Sequence, residues 1–198
     1  MKNIFTTLLL LCIFTTISFA QNWSPVNLSD KYNFQNDTAD HITNTIWVDS
    51  VEVQGLDSVF YLNRIVKPCP ECPGASNYEF YYKAYQGQFL QKEIRKEGDD
   101  KYVFKGEHPF TIFPKANLNE TWLMDTLNNT EATVSNIQEI QLFDNQYSIK
   151  TIVLSSGDSI LLSKEHGVVY FPEIYEGSSF DLVGIEGRDL GGVGAELS

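Results

Sequence analysis

Short apolar runs separated by turn residues recur along this chain, and they are densest between Thr151 and Phe171. The runs are rich in β-branched and aromatic residues, which favour strands over helices. They are continuous rather than alternating, a pattern typical of a sheet covered on both faces. Gly157-Asp158 is predicted to form a two-residue type II′ turn, and Gly167 to take positive φ in a three-residue turn. This segment is therefore predicted to be a three-stranded core.

The same pattern of runs and turn signals continues over most of the chain. Segments 43–53 and 58–66 are predicted to form one hairpin, and segments 130–143 and 146–154 a longer one. About ten strands at near-regular spacing are expected. They predict an all-β protein, an antiparallel meander arranged as a half-barrel, barrel or sandwich.

Two segments depart from this pattern, and both have a predicted structure of their own. Residues 21–41 are polar and rich in Asn. They are predicted to form an extended segment that pins one sheet edge, with a short strand at Lys31–Phe34. Segment Leu118–Met124 is the one predicted short helix. The predicted core residues are Ile152, Leu154, Ile160, Leu162, Val169 and Phe171, together with Trp47, Phe60 and Leu62.

The N-terminus has the organisation of a secretory signal peptide. A positive start at Met1–Asn3 precedes an apolar stretch, and Ser18 and Ala20 place small residues at −3 and −1 of a cleavage site before Gln21. We therefore predict a signal peptide at 1–20, a single β domain at 21–186 and a flexible glycine-rich tail at 187–198.

A lipoprotein signal is the alternative interpretation of the same stretch, because it contains Cys12. Leu11 stands before that cysteine, where a lipoprotein signal requires a small residue. The plain secretory peptide is therefore favoured, and cleavage is expected between Ala20 and Gln21.

The net charge limits the classes of partner. The full chain has a net charge of −12, and loss of the one Lys in the predicted leader makes it −13. Such a charge disfavours nucleic acid, whose phosphates need Lys and Arg, and also disfavours anionic lipid surfaces. The predicted mature part has no apolar run of about 18 residues, so no membrane span is predicted. The expected location is the periplasm, the cell surface or the extracellular space.

Cys69 and Cys72 are the two thiols of the predicted mature chain, and they lie in the proline-rich segment KPCPECPGASN. A redox-active pair would need a following helix to lower a thiol pKa, and Pro73-Gly74 prevents one. A zinc site would need two more ligands at compact spacing. A local structural disulfide is therefore favoured over redox and metal roles.

An aromatic-rich stretch follows this loop. Alternating aromatic residues of a strand usually fill a core, and this interpretation is favoured. The alternative is a flat platform for a sugar ring or a protein partner. The candidate platform residues are Tyr78, Phe80, Tyr81, Tyr82 and Tyr85.

The sequence carries no catalytic motif that we recognise. Ser163 and Glu165-His166 are close in sequence, but the segment is predicted to be an ordinary turn. We therefore predict neither an enzyme nor a cofactor, catalytic residue or metal site. A hydrolase without a recognisable motif is kept as an alternative, because paired carboxylates can meet only in the fold.

Several stretches carry a resemblance to known proteins. The predicted leader ending in Ala-Gln, the run ITNTIWVDSVEVQGLDSVFYLNRIV, the strand QFLQKEI and the segment LSKEHGVVYFP together resemble the N-terminal region of a group of Bacteroidota exported proteins. Members commonly end in a type IX secretion sorting domain. We recognise none in these 198 residues, so the sequence is expected to be either a natural short version or part of a longer protein. The strand–turn–GVVYF pattern is also similar to LolA-like half-barrels of the cell envelope, which bind lipid or lipoprotein acyl chains.

Two classes of function follow from these observations. The favoured one is an exported β-scaffold or interaction domain that presents its loops to a protein or glycan partner. The alternative, implied by the LolA resemblance, is a half-barrel whose open apolar face holds a lipid or acyl chain. The two differ in what covers the second face of the sheet.

A repeated tripeptide raises the possibility of modification. Asp-(Ser/Thr)-apolar occurs five times, where composition alone would give fewer than one, and it resembles the acceptor for envelope O-glycosylation in the Bacteroidota. Turn chemistry is the competing explanation, because Asp caps turns and a β-branched residue can begin the next strand. Thr38 is the preferred candidate, since no predicted strand demands the pattern there. The candidate acceptors are Thr38, Ser50, Ser58, Thr126 and Ser159.

Overall fold

The described residues of the computed structural model are 23–68, 78–82, 89–98, 100–172, 174 and 178–186. Within these ranges the chain forms fourteen strands and no helix, so the predicted all-β class is confirmed. The strands are β1 (Lys31–Asn36), β2 (Asn44–Gln54), β3 (Asp57–Leu62), β4 (Arg64–Pro68), β5 (Tyr78–Tyr82), β6 (Glu93–Glu97), β7 (Lys101–Lys105), β8 (Phe110–Ile112), β9 (Thr121–Asp125), β10 (Thr130–Leu142), β11 (Asn145–Leu154), β12 (Ser159–Ser163), β13 (Gly167–Phe171) and β14 (Phe180–Ile185).

Twelve of these strands form one antiparallel sheet, which curls into a nearly closed barrel. Their order is β8-β7-β6-β3-β2-β1-β14-β13-β12-β11-β10-β9. This is the chain order read around a circle, with the β4–β5 hairpin set aside as a separate two-stranded ladder. The predicted antiparallel meander is therefore confirmed, in a barrel-like form.

The first and last strands are neighbours in the middle of the sheet. β1 pairs with β14 from Tyr32↔Ile185 to Asn36↔Phe180, and with β2 on its other side. An ion pair between Lys31 and Glu186, at 2.7 Å, lies beside the start of this pairing. The predicted strand at Lys31–Phe34 is correct, but its expected place at a sheet edge is wrong.

The two edges of the sheet are β8 and β9, which are consecutive in the chain and lie against each other. We call this junction the seam. Trp122 of β9 donates its indole N–H to the Thr111 carbonyl of β8 at 2.9 Å, and its ring meets that of Phe113 edge-on. An unpaired strand edge is a hazard for aggregation, and here one side chain covers part of it.

The predicted strand 58–66 is interrupted at Asn63, which has φ +54°. β3 ends at Leu62, and β4 leaves the main sheet. The buried Asn63 amide replaces the lost ladder: its oxygen accepts from the Trp47 N–H at 3.0 Å, and its nitrogen donates to the Thr45 carbonyl at 2.6 Å. Asn tolerates this backbone region better than most residues, which explains the break.

The predicted core is mostly correct. The six predicted residues of β11, β12 and β13 are all buried, as is Leu62, and Phe60 packs against the same cluster. Trp47 is the exception, since it is only half-buried and Lys31 Nζ lies 5.6 Å from its ring. Successive side chains of a strand alternate faces. Ile46 occupies the inner face of β2, so Trp47 cannot.

Phenylalanine side chains fill one end of the barrel interior. Phe89, from the loop before β6, stacks on Phe180 at 4.5 Å and contacts Phe34 and Phe171 at 4.9 and 5.1 Å. A parallel stack of Phe104 and Phe110, at 4.3 Å, continues the cluster. All of these rings are buried. Dense aromatic packing of this kind contributes most of the hydrophobic stabilisation of such a core.

The two glycine turns of the central segment differ in type. Gly157 has φ +99°, but its N–H donates to the Leu154 carbonyl, and the Leu154 N–H donates to the Asp158 carbonyl. This is a three-residue type I turn closed by glycine, so the predicted two-residue type II′ turn is wrong. Gly167 has φ +74° and pairs with Ser163 across a three-residue loop, as predicted.

The predicted helix Leu118–Met124 is also wrong. Asn119 has φ +67°, and β9 begins at Thr121 and pairs with β10. Threonine and tryptophan at the start of β9 are good strand formers. Pairing with β10 therefore outweighs the local helix preference of Leu and Met.

The segment 23–30 before β1, which we call the lead-in, packs across the β12–β13 turn. The Val168 N–H donates to the Pro25 carbonyl at 3.0 Å, and Asn27 Nδ2 donates to the Glu165 carbonyl at 3.0 Å. Trp23 and Val26 are buried. We refer to this end of the barrel as the lead-in end.

We expect Gly167→Ala to lower the free energy of unfolding by about 3 kcal/mol or more. A Cβ there would lie 2.2 Å from the Pro25 carbonyl oxygen, so the lead-in must move. Gly55→Ala is the matched control, because Gly55 has a similar φ of +70° and nothing within 4 Å. It should cost only about 1 kcal/mol for the backbone conformation. Equal losses in urea unfolding would show that the lead-in contact is unimportant.

Candidate functional site

Lys150 lies inside the barrel at the lead-in end and is 2% exposed. Its ammonium donates to the Pro114 carbonyl at 2.5 Å and to the Ala116 carbonyl at 2.7 Å. The ring of Trp23 lies 4.7 Å from Nζ. One cation therefore joins three parts of the chain: β11, the loop that crosses the seam, and the lead-in.

Burial lowers the pKa of Lys150 to about 8, and the negative charge of Glu120 opposes this shift. Removal from water disfavours the charged form of a lysine. The two carbonyls and the aromatic face stabilise the ammonium, because all three present negative charge to it. The amine is enclosed by its own partners, which suits a structural cation better than a nucleophile.

The sequence contained a signal for this site that the pattern analysis missed. Lys150 stands in the run SIKTIVL, at a position that shares its face with Ile152 and Leu154. A lysine at an inward position of an apolar strand is rarely buried without partners. Its partners are backbone carbonyls from a distant loop, and no residue type in that loop could have predicted them.

Ser163, Glu165 and His166 form a capped turn. The Ser163 hydroxyl oxygen accepts from the backbone N–H groups of Glu165 and His166, each at 3.2 Å. The imidazole is buried and meets the Tyr147 ring edge-on, with centroids 4.5 Å apart. The hydroxyl thus serves the backbone of the turn, as in other serine-capped turns.

Five of the predicted site residues lie outside what the structure describes. This holds for Ala20 and Gln21, for Cys69 and Cys72, and for Tyr85. The remaining candidates for the aromatic platform lie on β5, whose backbone pairs with β4. Their side chains are not described, so the platform stays a prediction. These residues are Tyr78, Phe80, Tyr81 and Tyr82.

The candidate glycosylation residues differ in exposure. Thr38 and Thr126 are exposed, whereas Ser50, Ser58 and Ser159 are half-buried. A glycan needs its acceptor hydroxyl in water, so the two threonines suit attachment best.

Two of the five aspartates in the Asp-(Ser/Thr)-apolar tripeptides, Asp57 and Asp125, bond to backbone N–H groups of turns, as the turn-chemistry explanation requires. Asp125 Oδ1 accepts from the Leu127 N–H at 2.7 Å, which caps the β9–β10 turn.

Asp57 pairs with Arg95 at 2.9 Å, and its other oxygen accepts from the Gly98 N–H at 3.2 Å. The hydrogen bond from Arg95 holds the pKa of Asp57 below its ordinary value. This carboxylate therefore has a structural role at the β2–β3 turn.

Among the described residues, no group of three or more His, Cys, Asp or Glu side chains could hold a metal ion. No helix in the same residues is long and apolar enough to cross a membrane. Comparison with known proteins adds no assignment: no family model matches the chain, and no curated protein or solved structure is detectably similar to it.

We expect the stability of the wild type to rise relative to Lys150→Met as the pH increases. The pKa of about 8 in the folded state lies below the ordinary lysine pKa of 10.5, so between these values the unfolded state binds more protons. Stability then increases with pH. Between about pH 7 and about pH 9.5 the relative gain should be about 2 kcal/mol, measured by urea unfolding.

Two further variants control this experiment. Lys115→Met removes an exposed lysine from the same loop and should retain the wild-type pH dependence. Lys150→Arg does not titrate in this range, so it should lose the rise as Lys150→Met does. Identical pH profiles in all four proteins would contradict a low pKa at Lys150.

We expect native protein to carry added hexose at Thr38, detected as an intact mass above that of the predicted mature chain. Thr38→Ala should remove that increment if Thr38 is the acceptor. Ser159→Ala serves as the control, since Ser159 is half-buried beside a turn, and it should leave the mass of the glycan unchanged. A native mass without any hexose would leave turn chemistry as the only explanation of the tripeptides.

Proposed function

We propose that this protein is an exported β-scaffold whose role is to bind a macromolecular partner through its loops and projecting hairpins. The observation that carries this proposal is the phenylalanine packing inside the barrel that the described residues form. Phe89 and its neighbours occupy the space that a carrier would leave open for an acyl chain. A ligand cavity for such a chain would need about 300 Å³ or more.

The other end of the interior supports the same proposal. Lys150 and Trp23 occupy it, and the loop carrying Pro114 and Ala116 is bonded to the ammonium. An acyl chain entering here would have to displace a cation from its partners. Loops on a rigid scaffold are where binding residues are usually found, and the aromatic packing provides that rigidity.

Export and modification belong to the same proposal. The leader-like N-terminus and the resemblance to Bacteroidota exported proteins support a location in the cell envelope or outside the cell. The exposed threonines of the Asp-Thr tripeptides are compatible with envelope glycosylation. Neither feature assigns a catalytic activity, and we propose none.

We expect native mass spectrometry of protein purified from its source cells to show the chain without lipid, because phenylalanines fill the space a lipid would need. Mild amine crosslinking in the same cells should give a discrete complex with another macromolecule. The denatured mass of the same sample controls for covalent modification. A stoichiometric lipid adduct that is lost on denaturation would instead establish the carrier function.

A further inference from the structure

At the lead-in end, the β2–β3 hairpin extends beyond β1 while staying paired with β6, and the β10–β11 hairpin extends beyond β12. β2 pairs with β1 only over Asn44–Trp47, so its residues 48–54 pass the start of β1. β11 pairs with β12 only from Ile149 onward, so its residues 145–148 pass the end of β12. The start of β1 and the end of β12 both adjoin the lead-in. Both hairpins therefore project from the same end of the barrel.

The exposed apolar side chains concentrate at this end. Among the described residues, eight large apolar side chains are exposed, and Leu123 on β9 and Leu127 in the β9–β10 turn are the two that lie elsewhere. Single exposed apolar residues are ordinary, but a concentration of them marks an interaction site. The six at the lead-in end, which we call the apolar rim, are Leu28, Val51, Val53, Leu56, Leu118 and Ile137.

The β2–β3 turn presents the most exposed members of the apolar rim. Leu56 is 92% exposed and Val53 is 72% exposed. Gly55 has φ +70° at the first position of a two-residue turn, which fits the type II′ hairpin. Asp57 fixes the turn through its bonds to Arg95 and the Gly98 N–H. A hairpin held in this way loses little conformational entropy when it binds a partner.

The charges at the lead-in end decide between possible partners. Beyond the Lys31–Glu186 pair, five basic residues lie at this end, and two of them, Arg95 and Lys101, are paired with Asp57 and Glu97. The five are Arg95, Lys96, Lys101, Lys115 and Lys164. The carboxylates are more numerous. An anionic lipid surface, a nucleic acid or a second copy of this acidic chain would be repelled, whereas a basic protein surface would be attracted. Beyond Glu186, the exposed carboxylates of this end are Asp49, Glu52, Asp100, Glu120, Glu139, Asp144 and Glu165.

We propose that the lead-in end is a docking surface for a protein whose apolar site is bordered by Lys and Arg residues, with Leu56 and Val53 as the anchoring side chains. This inference rests on the proposed scaffold function and specifies its binding face. Apolar anchors at the centre of an interface usually carry most of the binding energy, while surrounding charges set the rate and choice of partner.

The test places a photoreactive phenylalanine analogue at position 53 of the full chain, expressed in its source cells. The same analogue at position 127 is the matched control. Leu127 is 68% exposed, close to the 72% of Val53, but it lies in the β9–β10 turn. We expect one abundant protein adduct from position 53 and none of that identity from position 127. Its crosslinked peptide should contain apolar residues flanked by Lys or Arg.

Substitutions then test the anchors. Leu56→Asp should lower the yield of this adduct at least about tenfold, and Leu127→Asp less than about twofold. Raising the salt concentration during crosslinking should also lower the yield, because salt screens the attraction between the two surfaces. Leu56→Ser provides the second variant if Leu56→Asp alters the urea midpoint.

Three results would overturn the proposal. These are an adduct that is lipid or a second copy of the chain, an unchanged yield in Leu56→Asp and Leu56→Ser, or equal adducts from positions 53 and 127. If amine crosslinking still captures a macromolecular partner in these cases, the scaffold function stands and only its binding face is wrong. A lipid adduct in native mass spectrometry without any partner would remove the scaffold function itself.

Discussion

Pairing between β1 and β14 is the constraint on which the rest of the barrel depends. It joins the first and last strands of the main sheet at the middle of that sheet, so that all of its twelve strands except β8 and β9, at the seam, have a partner on both sides. Without this pairing the twelve strands would form two separate sheets, with four exposed edges instead of two. Because β8 and β9 are linked by a short loop, the remaining edges are held close together by the chain itself. Trp122 then needs only one hydrogen bond to connect them.

Lys150 shows how a charge can stabilise a site that hydrophobic packing leaves incomplete. In the loop over the seam, the carbonyls of Pro114 and Ala116 would be costly to bury without hydrogen-bond donors. The ammonium satisfies both, while Trp23 closes the site from the lead-in. A buried ion without such partners would cost several kcal/mol. The lead-in is therefore part of the structure of the barrel, although its own sequence is polar and loop-like.

The parts of this fold that follow from local pattern could be predicted, and the parts that follow from distant pairing could not. The apolar runs of β11–β13 identified the core, and the loop length identified the positive φ of Gly167. Trp47 was misplaced although strand alternation with the buried Ile46 already puts it on the outer face of β2, where Lys31 of the paired strand lies beside its ring. Asn63 and the partners of Lys150 depend on backbone groups far away in sequence. Backbone groups carry no residue-specific signal, so the centre of the candidate site was missed.

Strand length explains which surfaces of the barrel are packed and which are exposed for binding. Where strands are paired along their whole length, the inner side chains are buried and the outer ones half-buried, so few apolar side chains are exposed. Where β2 outruns β1 and β11 outruns β12, each keeps a partner strand on one side only, and Val53 and Leu56 of the β2–β3 hairpin are exposed. Inner side chains of these overhanging parts, such as Val48 and Tyr147, pack against the core, whereas Val53 and Leu56 face solvent. The excess length, held rigid by Asp57 and Arg95, therefore distinguishes the lead-in end from the rest of the molecule as the place where a partner can be bound.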